Sequence, residues 1–365
     1  MRAMGHGVYF ALQSEWWRML PVCPARQEEF PMQEEAPPGK PSLRAGDVCA
    51  IVVTYGPDSE FPARLNEISP QVGMVVIVDN GSADAERNML LEAAAEPKVN
   101  LVFNDENLGL ARALNIGIER AAALQYSWVL LLDQDSRVDR DMICRLSDIQ
   151  ASFPDPARLA VVGSNFGDIG KRTPDAAAPD LESPGEPWDE VEQVITSGSL
   201  LSLPAHLAIG PFREDFFIDY IDEEYCLRAR AKGYRVIRSR RELMSHVIGA
   251  PTAHWFMGFR KCTSNHGPDR RYYIARNNTV LLHEFRNYRG GMWVLKSFGR
   301  SLRLCKRIAL YESMKSRKIA AVMHGWWDGI HGNMGRRDYR PVQRGLRFSV
   351  NARVPSLRSS DRTTR

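Results

Sequence analysis

The chain has 365 residues, 44% of them hydrophobic and 25% charged, enough apolar material for one large core or two smaller ones, which excludes disordered and fibrous classes. Six cysteines (Cys23, Cys49, Cys144, Cys226, Cys262 and Cys305) form no Cys-x-x-Cys pair, so neither a zinc site nor a disulfide framework is indicated, and a reducing, cytoplasmic setting is expected. The net charge of +4 is unevenly placed: beyond Phe285 only Glu312, Asp328, Asp338 and Asp361 oppose nineteen Lys and Arg, which favours an anionic partner for that quarter.

Residues 1–46 read as an N-terminal extension, expected to be poorly ordered and set off by Pro37, Pro38, Gly39, Lys40 and Pro41. An apolar patch at Val8 to Leu12 is interrupted by Gln13, Ser14, Glu15 and Arg18, and no segment approaches 18 apolar residues, so no spanning helix is expected. From Val48 the pattern alternates. Strands are predicted at Val48 to Thr54, Met74 to Val78, Val99 to Asn104 and Trp128 to Leu132, with helices at Pro62 to Ile68, Ala83 to Ala95 and Leu108 to Leu124 between them. Repeated βαβ units with short loops imply an α/β fold with a doubly wound, mostly parallel sheet flanked by helices. Further on, a helix is expected over Asp141 to Gln150, a strand over Leu159 to Ser164, a loop over Gly167 to Pro187 and a strand or strand pair over Glu192 to Leu203. A helix over Glu223 to Lys232, a strand over Tyr234 to Ser239 and a largely helical region over 271–325 complete the reading. The domain plan is a catalytic domain over 47–285, with a nucleotide-binding half to about 140 and an acceptor half from 141, then a basic helical extension over 286–345 and a disordered tail over 346–365.

The run Trp128-Val129-Leu130-Leu131-Leu132 ends in Asp133-Gln134-Asp135. An unbroken apolar strand is covered on both faces, so its carboxylates sit at the sheet edge where open α/β folds bind ligands. Residues two apart on an extended chain lie on one side, roughly 6 to 7 Å apart. The pair is either an acidic surface turn or a hard-oxygen site for Mg²⁺ or Mn²⁺ completed by a diphosphate. Thr54-Tyr55-Gly56, Asp79-Asn80-Gly81-Ser82 and Asn104 to Gly109 end the other three strands with polar groups, and the four ends together outline one crevice. Gly-x-Gly-x-x-Gly after the first strand and Gly-x-x-x-x-Gly-Lys-Ser/Thr are both missing, which removes the main support for dehydrogenase and P-loop readings.

In order, Val-Thr-Tyr-Gly, Val-Asp-Asn-Gly-Ser, the Asn107 to Gly117 segment, Leu-Leu-Asp-Gln-Asp-Ser and Phe216 to Arg228 resemble family-two glycosyltransferases, and among them bacterial dTDP-L-rhamnose-dependent rhamnosyltransferases, over about Val48 to Phe285. The resemblance implies a nucleotide-sugar-binding sheet of the A type (GT-A) with a C-terminal helical extension. It implies that Thr54, Tyr55, Asp79, Asn80, Asn107, Gly109 and Asp133 line the nucleotide-sugar pocket, with Asp79 accepting from a pyrimidine N–H. It further implies that Asp135, with Asp133 and His246, holds Mg²⁺ or Mn²⁺, and that Asp222 is the catalytic base. The family often has Glu-Asp where this chain has Ile221-Asp222, which leaves Asp222, Glu223 and Glu224 as alternatives for the proton. Acids at the start of that helix and bases at its end also suit the helix dipole alone. Ser197 and Gly198 match a small-residue segment beneath the acceptor, and Arg276 is a candidate phosphate clamp.

The expected activity is inverting, metal-dependent transfer of L-rhamnose from dTDP-L-rhamnose to a glycan or polyprenyl-diphosphate-linked acceptor in bacterial surface polysaccharide synthesis. A UDP-hexose donor, a catalytically inactive nucleotide-sugar-binding protein and a nucleotidyltransferase are the alternatives, the last lacking its Gly-rich basic phosphate loop. Nucleic acid is not expected as a partner. The helices after Phe285 carry apolar residues beside Lys296, Arg300, Arg303, Lys306 and Arg307, a pattern that suits either an anionic membrane at the inner face of the cytoplasmic membrane or packing on the catalytic domain.

Overall fold

The computed structural model describes residues 43–167, 186–245, 252–256, 259–263 and 265–337. His246, most of the N-terminal extension, most of the Gly167 to Pro187 loop and the 346–365 tail lie outside the described residues.

Strand β4 (Trp128–Asp133) shows why the apolar run is unbroken. Val129 and Leu131 join one core, with Ile51, Val76, Ala113, Leu114 and Ile118, while Leu130 and Leu132 join the other, with Phe61, Leu65, Ile68, Ile143 and Leu146. A strand buried on both faces needs apolar residues at every position. Strands β1 (Val48–Thr54), β2 (Met74–Asp79) and β3 (Val99–Phe103) are linked by helices α1 (Phe61–Ile68) and α2 (Asp84–Ala93), and α3 (Leu110–Ala123) leads back to β4. The predicted positions of these seven elements agree with the structure to within about two residues at each end.

The four strands pair in parallel in the order β3-β2-β1-β4. The chain moves from β1 outward to β3, then returns to the other side of β1, so the strand order reverses between β1 and β4 and opens a crevice at their C-terminal ends. The register places Thr54 beside Asp79 and Val53 beside Asp133.

Beyond β4 the sheet is mixed. A two-residue strand, β5 (Arg137–Val138), precedes α4 (Met142–Ser152) and β6 (Leu159–Gly167); β7 (Trp188–Glu190) and β8 (Ser199–Ser202) follow. Strand β8 lies antiparallel between β4 and β6, and β9 (Arg235–Ser245) extends the sheet beside β6 and pairs with β5 and β7. Among the described residues, parallel pairing is thus confined to strands β1 to β4, before residue 140, and the β6–β9 pair, and the second half departs from a doubly wound plan. A short helix, α5 (Leu203–Ile209), capped by Ser202, and a hairpin of β10 (Thr252–Phe256) and β11 (Phe259–Thr263) were not predicted.

Helix α6 (Ile221–Ala231) carries the second acidic motif, and three helices close the described chain: α7 (Pro268–Arg289), α8 (Gly291–Tyr311) and α9 (Lys315–His331). The expected boundary at 285/286 falls inside α7. Helix α9 approaches α7 closely because Gly325 and Gly329, one turn apart, face it: a Cβ at Gly325 would stand 2.4 Å from the Tyr272 carbonyl oxygen, and one at Gly329 2.7 Å from that of Arg276. The helices are also tied by a buried charge cluster, in which Glu312 accepts from Arg271 Nη2 at 2.5 Å and from Lys318 Nζ at 2.9 Å. All three residues are at most 3% exposed. A partner removed from such a cluster leaves a buried charge uncompensated, so Glu312→Gln is expected to destabilise the fold by about 3–5 kcal/mol. Urea unfolding of parent and variant at pH 7 measures this, and a difference under about 1 kcal/mol would show that the cluster tolerates a neutral centre.

Candidate functional site

At the base of the crevice, Asp79 is wholly buried and Thr54 Oγ1 donates to its Oδ1 at 3.0 Å. The Gly81-Ser82 turn closes over it: the Ser82 backbone N–H donates to Oδ2 at 3.1 Å, the Ser82 hydroxyl donates to Oδ1, and that hydroxyl accepts from the Gly56 N–H at 2.8 Å. Thr54, Asp79, Ser82 and Gly56 therefore form one network at the ends of β1 and β2. Both Asp79 oxygens are engaged, so a base N–H reaches this carboxylate only through a remaining lone pair or after Ser82 turns away.

Asn80 and Asn107 organise the next loop. Asn80 Nδ2 donates to Asn107 Oδ1 at 3.0 Å and to the Gly109 carbonyl at 3.3 Å, and Asn80 Oδ1 accepts from the Leu108 N–H and from Asn104. The Asn107 carboxamide also accepts from the Gly109 N–H. Gly109, with φ +90°, starts α3 where a Cβ would stand 2.6 Å from the Phe217 ring and 2.8 Å from the Phe217 carbonyl oxygen. Glycine is required there both by the left-handed backbone and by the approach of a loop from the second half of the sheet. The Leu110 N–H donates to that same Phe217 carbonyl at 2.7 Å.

Across the crevice, Gln134 laces β4 to β1: its Oε1 accepts from the Tyr55 N–H at 2.7 Å, its Nε2 donates to the Tyr55 carbonyl at 3.2 Å, and its own carbonyl accepts from Arg64 at 2.8 Å. Asp133 and Asp135 flank this glutamine and are partly exposed, while Tyr55 is exposed above them. Ser197 and Gly198 lie beneath the turn. Ser197 Oγ accepts from the Asp133 N–H at 3.1 Å and shares a 2.7 Å hydrogen bond with Ser136 Oγ, and the Gly198 N–H donates to Leu131 at 2.8 Å. Ser197 is 2% exposed, so in this arrangement it supports the Asp133–Asp135 turn from below.

The loop before α6 brings the second acidic group to the site. Phe217, Asp219 and Tyr220 all have φ near +65°, a conformation that non-glycine residues adopt only when their surroundings impose it. Here the imposition comes from α7. Asn277 Nδ2 lies at 3.0 Å from the Phe216 carbonyl oxygen and at 2.9 Å from those of Ile218 and Asp219. Arg276 donates to the Asp215 carbonyl at 2.9 Å, to Phe216 at 3.0 Å and to Gly335 at 2.6 Å. This corrects the phosphate-clamp expectation for Arg276. Its guanidinium is fully buried, and all three of its nitrogens point at protein acceptors, the third being Asn277 Oδ1.

A cation that sequence reasoning missed takes the outer position. Arg270, partly exposed on the first turn of α7, donates from Nε and Nη2 to the Asp219 carboxylate at 3.0–3.2 Å. Burial works against its charge, yet Asp219 and then Asp133 hold its pKa above the ordinary arginine value. Arg270 therefore sits within electrostatic range of the β4 carboxylates, but no spacing in the sequence distinguishes it from its neighbour Arg271, which turns inward to Glu312.

Asp222 opens α6 and is partly exposed. Burial pushes its carboxyl up to about 6, the negative charges of Asp219 and Asp133 push in the same direction, and a 2.9 Å hydrogen bond from the Glu223 N–H opposes them. Glu223 is pushed up to about 7, first by burial and then by the Asp222 charge, against the pull of Arg300 and Arg289. Burial also raises Asp219, with Arg270 opposing. Glu224, the third alternative for the proton, is buried and bound to Arg228 in an intrahelical pair at 2.8 Å and 2.9 Å, so its oxygens are already engaged.

Asp133, Asp135, Asp219, Asp222 and Glu223 concentrate negative charge around one crevice, and hard carboxylate oxygens two residues apart on β4 suit a divalent cation. No group of three or more His, Cys, Asp or Glu side chains is arranged for a metal among the described residues. Two carboxylates at the end of β4 are donors of the kind a divalent cation takes, and such an ion would need its remaining ligands from a bound molecule or water.

Residues 49–180 match the family described as Glycosyl transferase family 2. The chain is 28% identical over 247 residues to the dTDP-rhamnosyl transferase RfbF of Shigella flexneri, an alignment covering 65% of this chain and 80% of that protein. Among solved structures it is similar to the mannosyltransferase PcManGT of Pyrobaculum calidifontis in complex with GDP-Man and Mn2+, with a TM-score of 0.49 and 16% identity over 88% of this chain and 94% of that one. It is also similar to residues 1–349 of S. aureus TarS in complex with UDP-GlcNAc, with a TM-score of 0.49 and 14% identity over 75% and 79% of the two chains. It spans 40% of the longer TarS chain. Residues 49–180 thus form a glycosyl transferase family 2 domain, and with the similarity to RfbF this makes the chain a glycosyltransferase. Its α/β sheet is flanked by helices and followed by a helical extension, the layered architecture that the sequence led us to expect.

The raised Asp222 pKa carries a stability cost with a definite sign. A carboxyl whose pKa rises from 3.8 to about 6 on folding is held protonated more firmly by the folded state, so its ionised form costs stability above pH 6 and that cost fades toward pH 4. In metal-free protein, Asp222→Asn is expected to stabilise by about 1–2 kcal/mol at pH 8, less than a full conversion of the shift because the side chain keeps contact with solvent. Urea unfolding at stepped pH reads the effect; a gain that stays constant from pH 8 to pH 4.5 would exclude an ionic origin.

Proposed function

We propose that this glycosyltransferase moves L-rhamnose from dTDP-L-rhamnose to a glycan or polyprenyl-diphosphate-linked acceptor, with inversion at the anomeric carbon, in bacterial surface polysaccharide synthesis. The similarity to the S. flexneri dTDP-rhamnosyl transferase supports the donor. The observation that carries the chemistry is an acid held near neutrality at the start of α6, in the field of Asp133 at the end of β4. A carboxyl with that pKa can accept a proton from an acceptor hydroxyl at physiological pH and still exist largely as the ionised base.

In this reading Thr54, Asp79, Asn80, Asn107 and Gly109 form the floor and wall of the nucleotide pocket, and Tyr55 lies over its mouth. Asp79 takes the pyrimidine N–H once Ser82 yields. Arg270 is the cation available to the diphosphate, in the place first given to Arg276. Asp135 and Asp133 would hold Mg²⁺ or Mn²⁺, with His246, which lies outside the described residues, as the third ligand that the sequence offers. When bound, the ion neutralises charge that grows on the departing diphosphate. Asp222 takes the proton of the acceptor hydroxyl as its oxygen bonds to the anomeric carbon. The bond from that carbon to the diphosphate oxygen breaks on the opposite face, and the nucleoside diphosphate leaves with the electron pair. Glu223, pushed up to about 7 beside Asp222, keeps the negative charge next to the base low while it is protonated. The acceptor approaches over the Asp219–Asp222 loop.

The decisive assay follows nucleoside diphosphate release from a panel of nucleotide sugars, with Mg²⁺, Mn²⁺ or chelator and candidate acceptors. Release from dTDP-L-rhamnose is expected to need the metal, and Asp222→Asn is expected to lower kcat by about 10²–10⁴ with donor binding retained. Asp135→Asn should abolish the metal requirement together with most of the rate. Preference for a UDP-hexose would replace the donor assignment, and equal turnover in chelator would remove the metal. Donor binding without turnover across the whole acceptor panel would favour a binding protein.

A further inference from the structure

Helix α8 has two unlike sides. Trp293, Ser297 and Ile308 are buried against the rest of the molecule, and Arg300 on this helix lies close enough to Glu223 for its charge to hold that acid's pKa down. The opposite side carries Met292, Leu295, Phe298, Leu302 and Leu310, each between 51% and 63% exposed. At helical spacing these five share one face. Isolated exposed apolar residues need no explanation, but a stripe along about five turns does.

The charge around the stripe is of one sign. From Gly291 to Arg337 the only acids are Glu312 and Asp328, and both are buried. Glu312 is enclosed by Arg271 and Lys318, and Asp328 accepts from Tyr272, Asn333 and Arg337. The solvent side of α8 and α9 therefore shows only basic charge: Lys296, Arg303 and Lys306 are exposed along the stripe, and Lys315 and Arg317 follow at the start of α9. A helix with an apolar face of Leu, Met and Phe bordered by Lys and Arg is built to lie in the boundary between anionic headgroups and acyl chains.

We propose that the outer face of α8 seats the enzyme on an anionic phospholipid surface, with the apolar stripe inserted and Lys296, Arg303 and Lys306 against lipid phosphates. Charge complementarity selects this occupant. A second copy of the chain would bring an equally basic face against this one, with both nearby acids buried and unable to offset it. Nucleic acid would use the cations but leave five aliphatic and aromatic side chains in contact with a polar backbone. The face is separate from the residues assigned to catalysis, and the inference does not depend on which sugar is transferred. Under the proposed function it sets the Glu223 side of the crevice next to a bilayer that carries a lipid-linked acceptor.

Flotation of the full chain with vesicles tests it. Vesicles of phosphatidylcholine with about one-third phosphatidylglycerol are expected to carry the protein at low salt, and pure phosphatidylcholine to leave it behind. Lys296→Gln, Arg303→Gln and Lys306→Gln together should weaken binding on the order of a hundredfold, about fivefold per charge. Leu295→Ser, Phe298→Ser and Leu302→Ser together should weaken it at least tenfold even at low salt, where attraction of the cations alone is greatest. Both triple variants are expected to keep the parent's turnover of a soluble acceptor, which shows that they fold. The proposal fails if vesicle binding is absent or survives either triple substitution. It also fails if the parent is a dimer that the apolar substitutions dissolve, or if single-stranded DNA binds in a way that only the charge substitutions weaken.

Discussion

The loop from Asp215 to Tyr220 depends on α7 for its shape, and the site depends on the loop. The carbonyls of Asp215, Phe216, Ile218 and Asp219 turn toward Asn277 and Arg276, and without those donors the left-handed conformations at Phe217, Asp219 and Tyr220 would relax. Left-handed strain in non-glycine residues costs about 1–3 kcal/mol each, so several convergent hydrogen bonds are needed to hold them. Two consequences follow along the chain. The Phe217 carbonyl is set against the start of α3 and fixes Gly109, while Tyr220 ends in the correct place to begin α6, so that Asp222 faces the crevice. Gly335 and Arg336, beyond α9, complete the ring by binding Asp215 and the Glu106–Asn107 loop. The two sides of the crevice are thus joined through backbone atoms, and the C-terminal helices supply the joint.

Electrostatics gives this geometry its chemical meaning. Five carboxylates around one opening repel one another, and burial removes the water that would otherwise screen them. The protein tolerates this in two ways. Arg270 neutralises Asp219, and Arg289 and Arg300 partly offset Glu223. What remains is an excess of negative charge at the ends of β4 and α6, with protons held by Asp222 and Glu223 well above the usual carboxylate range. Such an arrangement is stable enough to fold but favours any ligand that brings positive charge. Arg270 brings a positive charge to the outer side of this group, through Asp219.

The parallel half of the fold was legible because burial on both faces forces an unbroken apolar run, and polar strand ends mark where it stops. Direction was not legible where strands are short. Ser199–Ser202 reads apolar and buried whichever way it runs, so its antiparallel insertion between β4 and β6 leaves no trace in composition. Asp133, Asp135 and Asp222 drew attention in the sequence through residue type and order, and the fold places them at the end of β4 and the start of α6. Arg276 was found and given the wrong use: an arginine facing a loop sixty residues earlier looks, in sequence, like an arginine facing solvent. Arg270 and Asn277 lay beside it without distinguishing pattern, since what selects them is the path of the Asp215–Asp219 backbone. Ser197 was read as an acceptor contact because small residues near a site suggest close approach, and here they do serve close approach, but by the Asp133 turn.

The helical extension resolves a choice the sequence left open, between packing on the catalytic domain and exposure at a surface. Both occur, on opposite sides of the same helices. Arg289 at the end of α7 binds Glu192 and stacks on Trp293 of α8, so the inner side of α8 is anchored to the loop between β7 and β8. Packing consumes only about half of a helix's circumference, and a purely structural helix of this composition would place polar residues on the remainder. Leucine, methionine and phenylalanine stand there instead. Because Arg300 and Trp293 tie the inner side to Glu223 and Arg289, any load applied to the outer side acts on elements that also hold the acidic end of the crevice.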